Sequence, residues 1–261
     1  GSVLTFTTAP AANTSFFAVL LGSDNGGTVT PTDGSVTNDK ISSTLTTIAG
    51  LTSAGAAGTA TSVAGIPFFQ GDTGSIYTHD VSGTDSTAQY NTAYGLTALD
   101  AITTGDSNVA VGYNAGTDLT TANYSVFVGS SAGQNVTEAT GSVFLGFEAG
   151  NGVTTGSANI GIGLQTFNAM DTEANNLAIG YSSMSGSVAG GEYNVAIGNY
   201  SLDALTSGDY NTVMGYNAGT ATTTGGYNVM LGANAGLDHT TGSSCVYIGA
   251  NAGANQTTAS G

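Results

Sequence analysis

The chain has 261 residues and a formal net charge of −16, because it contains one basic residue besides its two histidines. Proteins bind nucleic acids largely by neutralising phosphates with Lys and Arg, so this charge balance excludes DNA and RNA as partners. With 40% hydrophobic and 7% charged residues, the composition is also unlike that of a disordered chain. No apolar run approaches the ~20 residues that span a bilayer, and we expect no membrane insertion.

Two segments precede the regular part of the chain. Residues 1–41 hold two short apolar runs separated by a Pro-containing loop, and they predict a small β module. Residues 42–89 are rich in Ser, Thr and Gly, and they predict a linker that ends in a short collar.

A repeat of 17 residues dominates the chain from residue 90 to residue 261. A glycine, here called the anchor glycine, closes a short β-branched run in each copy, and one step of 18 residues interrupts the period. The ten anchor glycines are Gly95, Gly112, Gly129, Gly146, Gly163, Gly180, Gly198, Gly215, Gly232 and Gly249. Because so short a unit must stack on its neighbours, the repeat predicts an all-β fold, a β-solenoid with ten 17-residue coils.

Each column of the repeat has its own expected place. The residue four before the anchor glycine is most often Asn, which predicts a ladder of stacked amides. The members of this structural ladder are Asn91, Asn108, Asn159, Asn176, Asn194, Asn211 and Asn228. Ser125, Ser142 and Cys245 occupy the same column, and we interpret Cys245, the sole cysteine, as a small structural substitute.

Strand alternation assigns the neighbouring columns to opposite faces. We expect the apolar residues three and one before the anchor glycine, such as Val109 and Val111, to point inward. The residue two before it, such as Phe127 or Phe144, is then expected to point outward. Apolar residues on an outer face predict burial against another subunit, so we expect an oligomeric fibre, a homotrimer.

Several aromatic residues directly follow an anchor glycine. They are Tyr113, Phe147, Tyr181 and Tyr216. Packing at the coil corner is the favoured interpretation, and surface contact with sugars is the alternative.

No pattern of catalytic, cofactor or metal-binding residues stands out. His79 and His239 are far apart in sequence, and exposed loop positions are expected for both. Glu138, Glu148, Glu173 and Glu192 fall in different columns, although stacked coils could still bring two carboxylates together for glycosidic cleavage. We therefore expect a non-enzymatic protein without cofactor or metal, and keep a polysaccharide-degrading spike as the weaker alternative.

Two parts of the chain resemble known fibres. Residues 5–19 (TFTTAPAANTSFFAV) and 33–41 (DGSVTNDKI) resemble a module and joint of marine and cyanobacterial phage tail fibres. The solenoid units, such as 194–198 (NVAIG) and 108–116 (NVAVGYNAG), resemble repeats of those fibres. They are also similar to the head repeats of trimeric autotransporter adhesins.

The resemblance implies a homotrimeric fibre, carried on a virion tail or otherwise extracellular, that contacts a host cell-surface receptor or polysaccharide. Such fibres often end in a self-trimming chaperone segment, which has no counterpart here. The pattern stops in mid-repeat at Gly261, so we expect the chain to be a segment of a longer fibre. A bacterial surface adhesin or extracellular filament subunit is the alternative function.

Overall fold

A computed structural model describes residues 61–63, 66–70, 74–81, 84–186 and 189–258 of the chain. These residues belong to one compact unit that spans Ser53–Gly261. The predicted β module at 1–41 and most of the predicted linker lie outside the described residues. No helix in the described part of the chain is long and apolar enough to cross a bilayer.

The described residues form one sheet of thirteen strands in sequence order. The first three strands pair antiparallel, and from β3 onward every pairing is parallel. The strands are β1 (Thr61–Val63), β2 (Ile66–Gln70), β3 (Ile76–Tyr77), β4 (Thr92–Tyr94), β5 (Val109–Val111), β6 (Val126–Val128), β7 (Val143–Leu145), β8 (Ile160–Ile162), β9 (Leu177–Ile179), β10 (Val195–Ile197), β11 (Thr212–Met214), β12 (Val229–Leu231) and β13 (Val246–Ile248).

The parallel strands stack as successive coils of a β-solenoid, which confirms the predicted fold class. Val109 pairs with Val126 and Val126 with Val143, so equivalent residues of neighbouring coils face each other. At about 4.8 Å per strand, the eleven parallel strands β3–β13 extend roughly 48 Å along the axis. The parallel sheet begins at Ile76, within the segment that the sequence assigns to the collar, because β3 already pairs with β4.

The expected facing of the strands was wrong. The middle residue of each strand points into the coil: Ala110, Phe127 and Phe144 are fully buried. The flanking residues, including Val109 and Val111, remain partly exposed. Both sets are apolar, so alternation alone does not tell which face is inside. Each three-residue strand therefore contributes one inward side chain, and residues of the adjoining turns fill the rest of the coil.

Two columns of the repeat, the residues two before and four after the anchor glycine, share the interior, and a large residue in one is paired with a small residue in the other. Where the residue two before the anchor glycine is large, the residue four after it is glycine, as in Phe127 with Gly133. A Cβ on Gly133 would lie 2.6 Å from the Phe127 ring, so the ring takes the space that the glycine leaves. The reverse pairing of a small residue with a large one occurs in Ala93 with Leu99, Gly161 with Phe167, Ala178 with Met184, and Ala196 with Leu202.

The anchor glycines bring neighbouring coils into close contact. Gly146 has a φ of +137°, and a Cβ there would lie 2.5 Å from the carbonyl oxygen of Gly163. The amide of Gly163 in turn donates to the carbonyl of Leu145 at 2.8 Å. Only glycine combines this backbone conformation with such a close approach.

Candidate assembly surface

One face of the solenoid is apolar and partly exposed along its whole length. We call it the outer strand wall, formed by the residues three and one before each anchor glycine. Ile160 and Ile162 are 39% and 36% exposed, and Met214 is 46% exposed. None of these positions in the ten coils holds a charged residue. In a single chain, the wall therefore leaves two continuous ladders of mainly β-branched side chains facing water.

Aromatic residues flank the wall at the position after the anchor glycine. Tyr113, Phe147, Tyr181 and Tyr216, the candidate contact residues, are 55%, 48%, 39% and 54% exposed. They lie outside the core and are open to solvent on one side. Tyr181 contacts Tyr200 edge to face with ring centroids 5.1 Å apart, and Tyr200 contacts Tyr216 in the same way at 6.3 Å.

The size of this surface exceeds what a monomer usually exposes. Five residues from the outer ladder to the flanking aromatics span about 13 Å, and the stack is roughly 48 Å tall. With the width of the side chains, the area is roughly 700 Å². The largest apolar patch on a typical monomer covers about 300–600 Å². A stable protein interface buries about 800 Å² per partner, so the wall has the size of an interface.

The predicted amide ladder lies inside the coil stack and joins neighbouring coils. The side chains of Asn194 and Asn211 are fully buried. The Oδ1 atom of Asn194 accepts from the backbone amide of Asn211 at 2.9 Å, and its Nδ2 atom donates to the carbonyl of Gly208 at 2.9 Å. The Nδ2 atom of Asn211 also donates to the Oδ1 atom of Asn194 at 3.0 Å, so the amides bond to one another, as the sequence predicts, and to the backbone of the next coil.

The same bonds recur at the other members of the ladder. Backbone amides donate to the Oδ1 atoms of Asn91, Asn108, Asn159, Asn176, Asn211 and Asn228. The last of these donors is Cys245, which is buried and follows the ladder as a small substitute. The ladder is therefore a structural element and offers no exposed donor to a ligand.

Both histidines lie against the core, which corrects the expectation of exposed loop positions. His239 is fully buried, where its Nε2 atom is 2.9 Å from the carbonyl of Gly242, and its ring packs edge to face on Tyr247. In other coils the same column holds aliphatic residues such as Leu119, Val136 and Leu205, which was a usable sequence signal. His79 lies 3.4 Å from Asp100, and burial lowers the pKa of its imidazole despite that carboxylate.

The carboxylates considered for catalysis have separate surroundings. Glu173 is buried, and its oxygens accept from the backbone amides of Asp171, Thr172 and Gly190. Glu148 accepts from the side chain of Gln165 at 2.9 Å. Among the described residues, no group of three or more His, Cys, Asp or Glu side chains could hold a metal ion.

The fold and the wall define a β-solenoid repeat protein. Comparisons of the chain with protein-family models, with curated proteins and with solved structures found no match.

Proposed function

We propose that the protein is a structural and adhesive fibre whose chains assemble through the outer strand wall into a homotrimer. The fibre attaches a virion to its host cell, in the manner of a phage tail fibre. The observation that supports the proposal is the uncharged apolar wall, which has the dimensions of an interface and no cover within the described chain.

The repeat favours a second copy of this chain as the partner. Each coil adds one strand, so exposed side chains recur at about 4.8 Å along the axis. Only a partner with the same axial repeat can interdigitate with the wall over its full length. The chain carries a net charge of −16, but the wall itself holds no charged residue. The charges of two copies that repel each other therefore lie outside the contact surface. Three copies follow from the resemblance to trimeric fibres.

The geometry of such an assembly supports a role in attachment. Three parallel solenoids present the same corner residues many times along one axis. Weak contacts that repeat along a rigid rod gain strength from their high effective concentration. The partner at the host surface is a receptor or a polysaccharide, and the fibre works outside the cell.

We infer that the fibre acts without catalysis. The hydrogen bonds of Glu173 to three backbone amides give this buried carboxylate a structural role. If the fibre were a depolymerase, incubation with host polysaccharide would release reducing ends, and Glu148→Gln or Glu192→Gln would abolish their release. We expect no release from the unmodified protein.

Immunogold electron microscopy of the source material tests the proposed location. Antibodies raised against residues 90–261 should label the fibres of virus particles. Labelling of cell envelopes without particles would instead identify a bacterial adhesin or filament subunit and would overturn the phage assignment. Fluorescent assembled fibre should then bind intact host cells, and failure to bind any cell that the virus infects would contradict an attachment role.

A further inference from the structure

Three tyrosines form a ladder at the corner that precedes the strand. Tyr193, Tyr210 and Tyr227 each lie five residues before an anchor glycine in three successive coils. Adjacent ring centroids are 5.0 Å apart, and the ring planes are within 3° and 16° of parallel. The three residues are 47%, 47% and 63% exposed. We call this feature the tyrosine ladder.

The stacking determines which part of each ring faces solvent. Neighbouring rings cover both faces of Tyr210, so the exposed part of this residue is the ring edge and the hydroxyl. The ladder therefore presents a row of aromatic edges that runs parallel to the coil axis. The ring edges are apolar, and contact with another flat apolar surface removes them from water. A flat aromatic molecule that lies along the axis makes this contact with all three rings.

The backbone shows that a tyrosine is not the least strained choice at this corner. The φ angles of Tyr193, Tyr210 and Tyr227 are +58°, +58° and +59°. Other coils place Gly141 and Asn175 in the same column, and these residue types adopt the left-handed conformation more readily. Stacking between the rings offsets part of this strain, and the ladder exists only where three tyrosines follow one another.

Two carboxylates give the ladder its charge. Glu192 and Asp209 directly precede Tyr193 and Tyr210, and the amide of Glu192 donates to Oδ1 of Asp209 at 2.8 Å. The pKa of Tyr210 is raised, first by partial desolvation of its side chain and then by the neighbouring tyrosines and these two carboxylates. The described residues include no Lys or Arg. A cation is therefore attracted to this corner, and an anion is repelled.

We propose that the tyrosine ladder is a binding site for flat aromatic cations, which lie along the coil axis across the three ring edges. The ladder supplies a flat apolar contact, and Glu192 with Asp209 supplies the negative charge. The site is complete within one chain, so it does not depend on the proposed trimer or on the proposed role in attachment.

Thioflavin T, a planar benzothiazolium cation, is a suitable probe because its fluorescence rises when its rings are held immobile. We expect the assembled full chain to raise the fluorescence with saturation at one site per chain. The signal should weaken as NaCl is added, since exposed charges are screened by salt. The uncharged benzothiazole of the same shape should bind about fivefold more weakly, and an anionic planar dye should not compete.

Three matched variants test which residues bind the dye. Tyr210→Ser interrupts the ladder with a residue found in the same column at Ser244, and should weaken dye binding about tenfold. The double variant Glu192→Gln with Asp209→Asn should weaken it about fivefold and remove most of the salt dependence. Tyr124→Ser, in the same column but between Ser107 and Gly141, should leave dye binding unchanged.

Several outcomes would overturn the proposal. They are dye binding that survives Tyr210→Ser, equal loss in Tyr124→Ser, and equal binding of the neutral analogue at all salt concentrations. Binding of a neutral oligosaccharide that depends on Tyr210 but not on the carboxylates would assign the ladder to sugars instead. The native mass of each variant is measured in parallel, so that a failure of assembly is distinguished from a failure of the site.

Discussion

The close contact between anchor glycines makes Gly146→Ala the most informative single substitution. A Cβ at this position would lie 2.5 Å from the carbonyl oxygen of Gly163 and 2.7 Å from its carbonyl carbon. Real Cβ atoms essentially never approach other atoms closer than 3.0 Å, so the two coils must move apart. The φ of +137° adds a conformational penalty that does not depend on space.

The size of the effect follows from these two causes. Moving the coils apart by about 0.5–0.9 Å takes the hydrogen bonds from Gly163 to Leu145, at 2.8 Å, and from Gln165 to Phe147, at 3.0 Å, beyond their normal range. Each bond contributes about 1 kcal/mol. Holding alanine in a glycine-only conformation costs about 1–3 kcal/mol. We therefore expect Gly146→Ala to lower the free energy of unfolding by about 3–5 kcal/mol.

Gly141→Ala is the matched control. Gly141 also has a positive φ, +70°, but a Cβ there meets nothing within 4 Å, so only the backbone term of about 1–2 kcal/mol remains. A stacked repeat need not unfold in one step. Hydrogen exchange at the amides of Gly163 and Gln165 should therefore accompany urea denaturation. If the two variants differed by less than 1 kcal/mol, the proposed contact between coils would be refuted.

Three further predictions concern the interior. Phe144→Ala should lower the free energy of unfolding in urea by about 3–5 kcal/mol. Adding Gly150→Leu should restore part of this free energy, because the pair then matches Ala93 with Leu99. If the effects of the two substitutions simply added, the two side chains would not share one space. Asn194→Ala should lower the free energy of unfolding by about 2–4 kcal/mol, because it leaves the buried amide of Asn211 and the carbonyl of Gly208 unpaired. Asn194→Ser, which resembles Ser142 in the same column, should lower it less. Equal losses in the two variants would argue against the ladder. Burial lowers the pKa of His79 in the folded chain. Below about pH 6.5 the unfolded chain therefore binds a proton at this residue more readily than the folded chain does. The free energy of unfolding should consequently fall from pH 7 to pH 5. Hydrogen exchange near Tyr77 should show this loss, and His79→Gln should remove it; an unchanged pH profile in that variant would assign the effect elsewhere.

The sequence contains the period, the anchor glycines and the Asn column, because each repeats at a fixed spacing with a distinct residue type. It does not reveal the inner face directly, since Val109, Ala110 and Val111 are all apolar and a three-residue strand offers too short an alternation. A signal was nevertheless present. Where the side chain two before the anchor glycine is large, the one four after it is small, and the reverse also holds. Contact between the two side chains explains this relation.

The surface is harder to predict than the interior. Exposed ladders such as the outer strand wall have the composition of a core, and only the direction of the side chains distinguishes the two. The tyrosine ladder likewise depends on three coils that agree in ring orientation, which no single repeat reveals. His239 shows the opposite case, where an aliphatic column already indicated a buried position for a polar residue.

Sedimentation equilibrium of the full chain at micromolar concentration tests the central claim most directly. We predict a mass of about three times the 25.5 kDa of one chain. The double wall variant Val195→Asp with Ile197→Asp should sediment as a monomer, because two charges cannot be buried without partners. Thr155→Glu with Thr224→Glu, two exposed positions in the column that holds Glu138, should keep the wild-type mass. A wild-type chain that sediments as a monomer, or a wall variant that still assembles, would contradict the account.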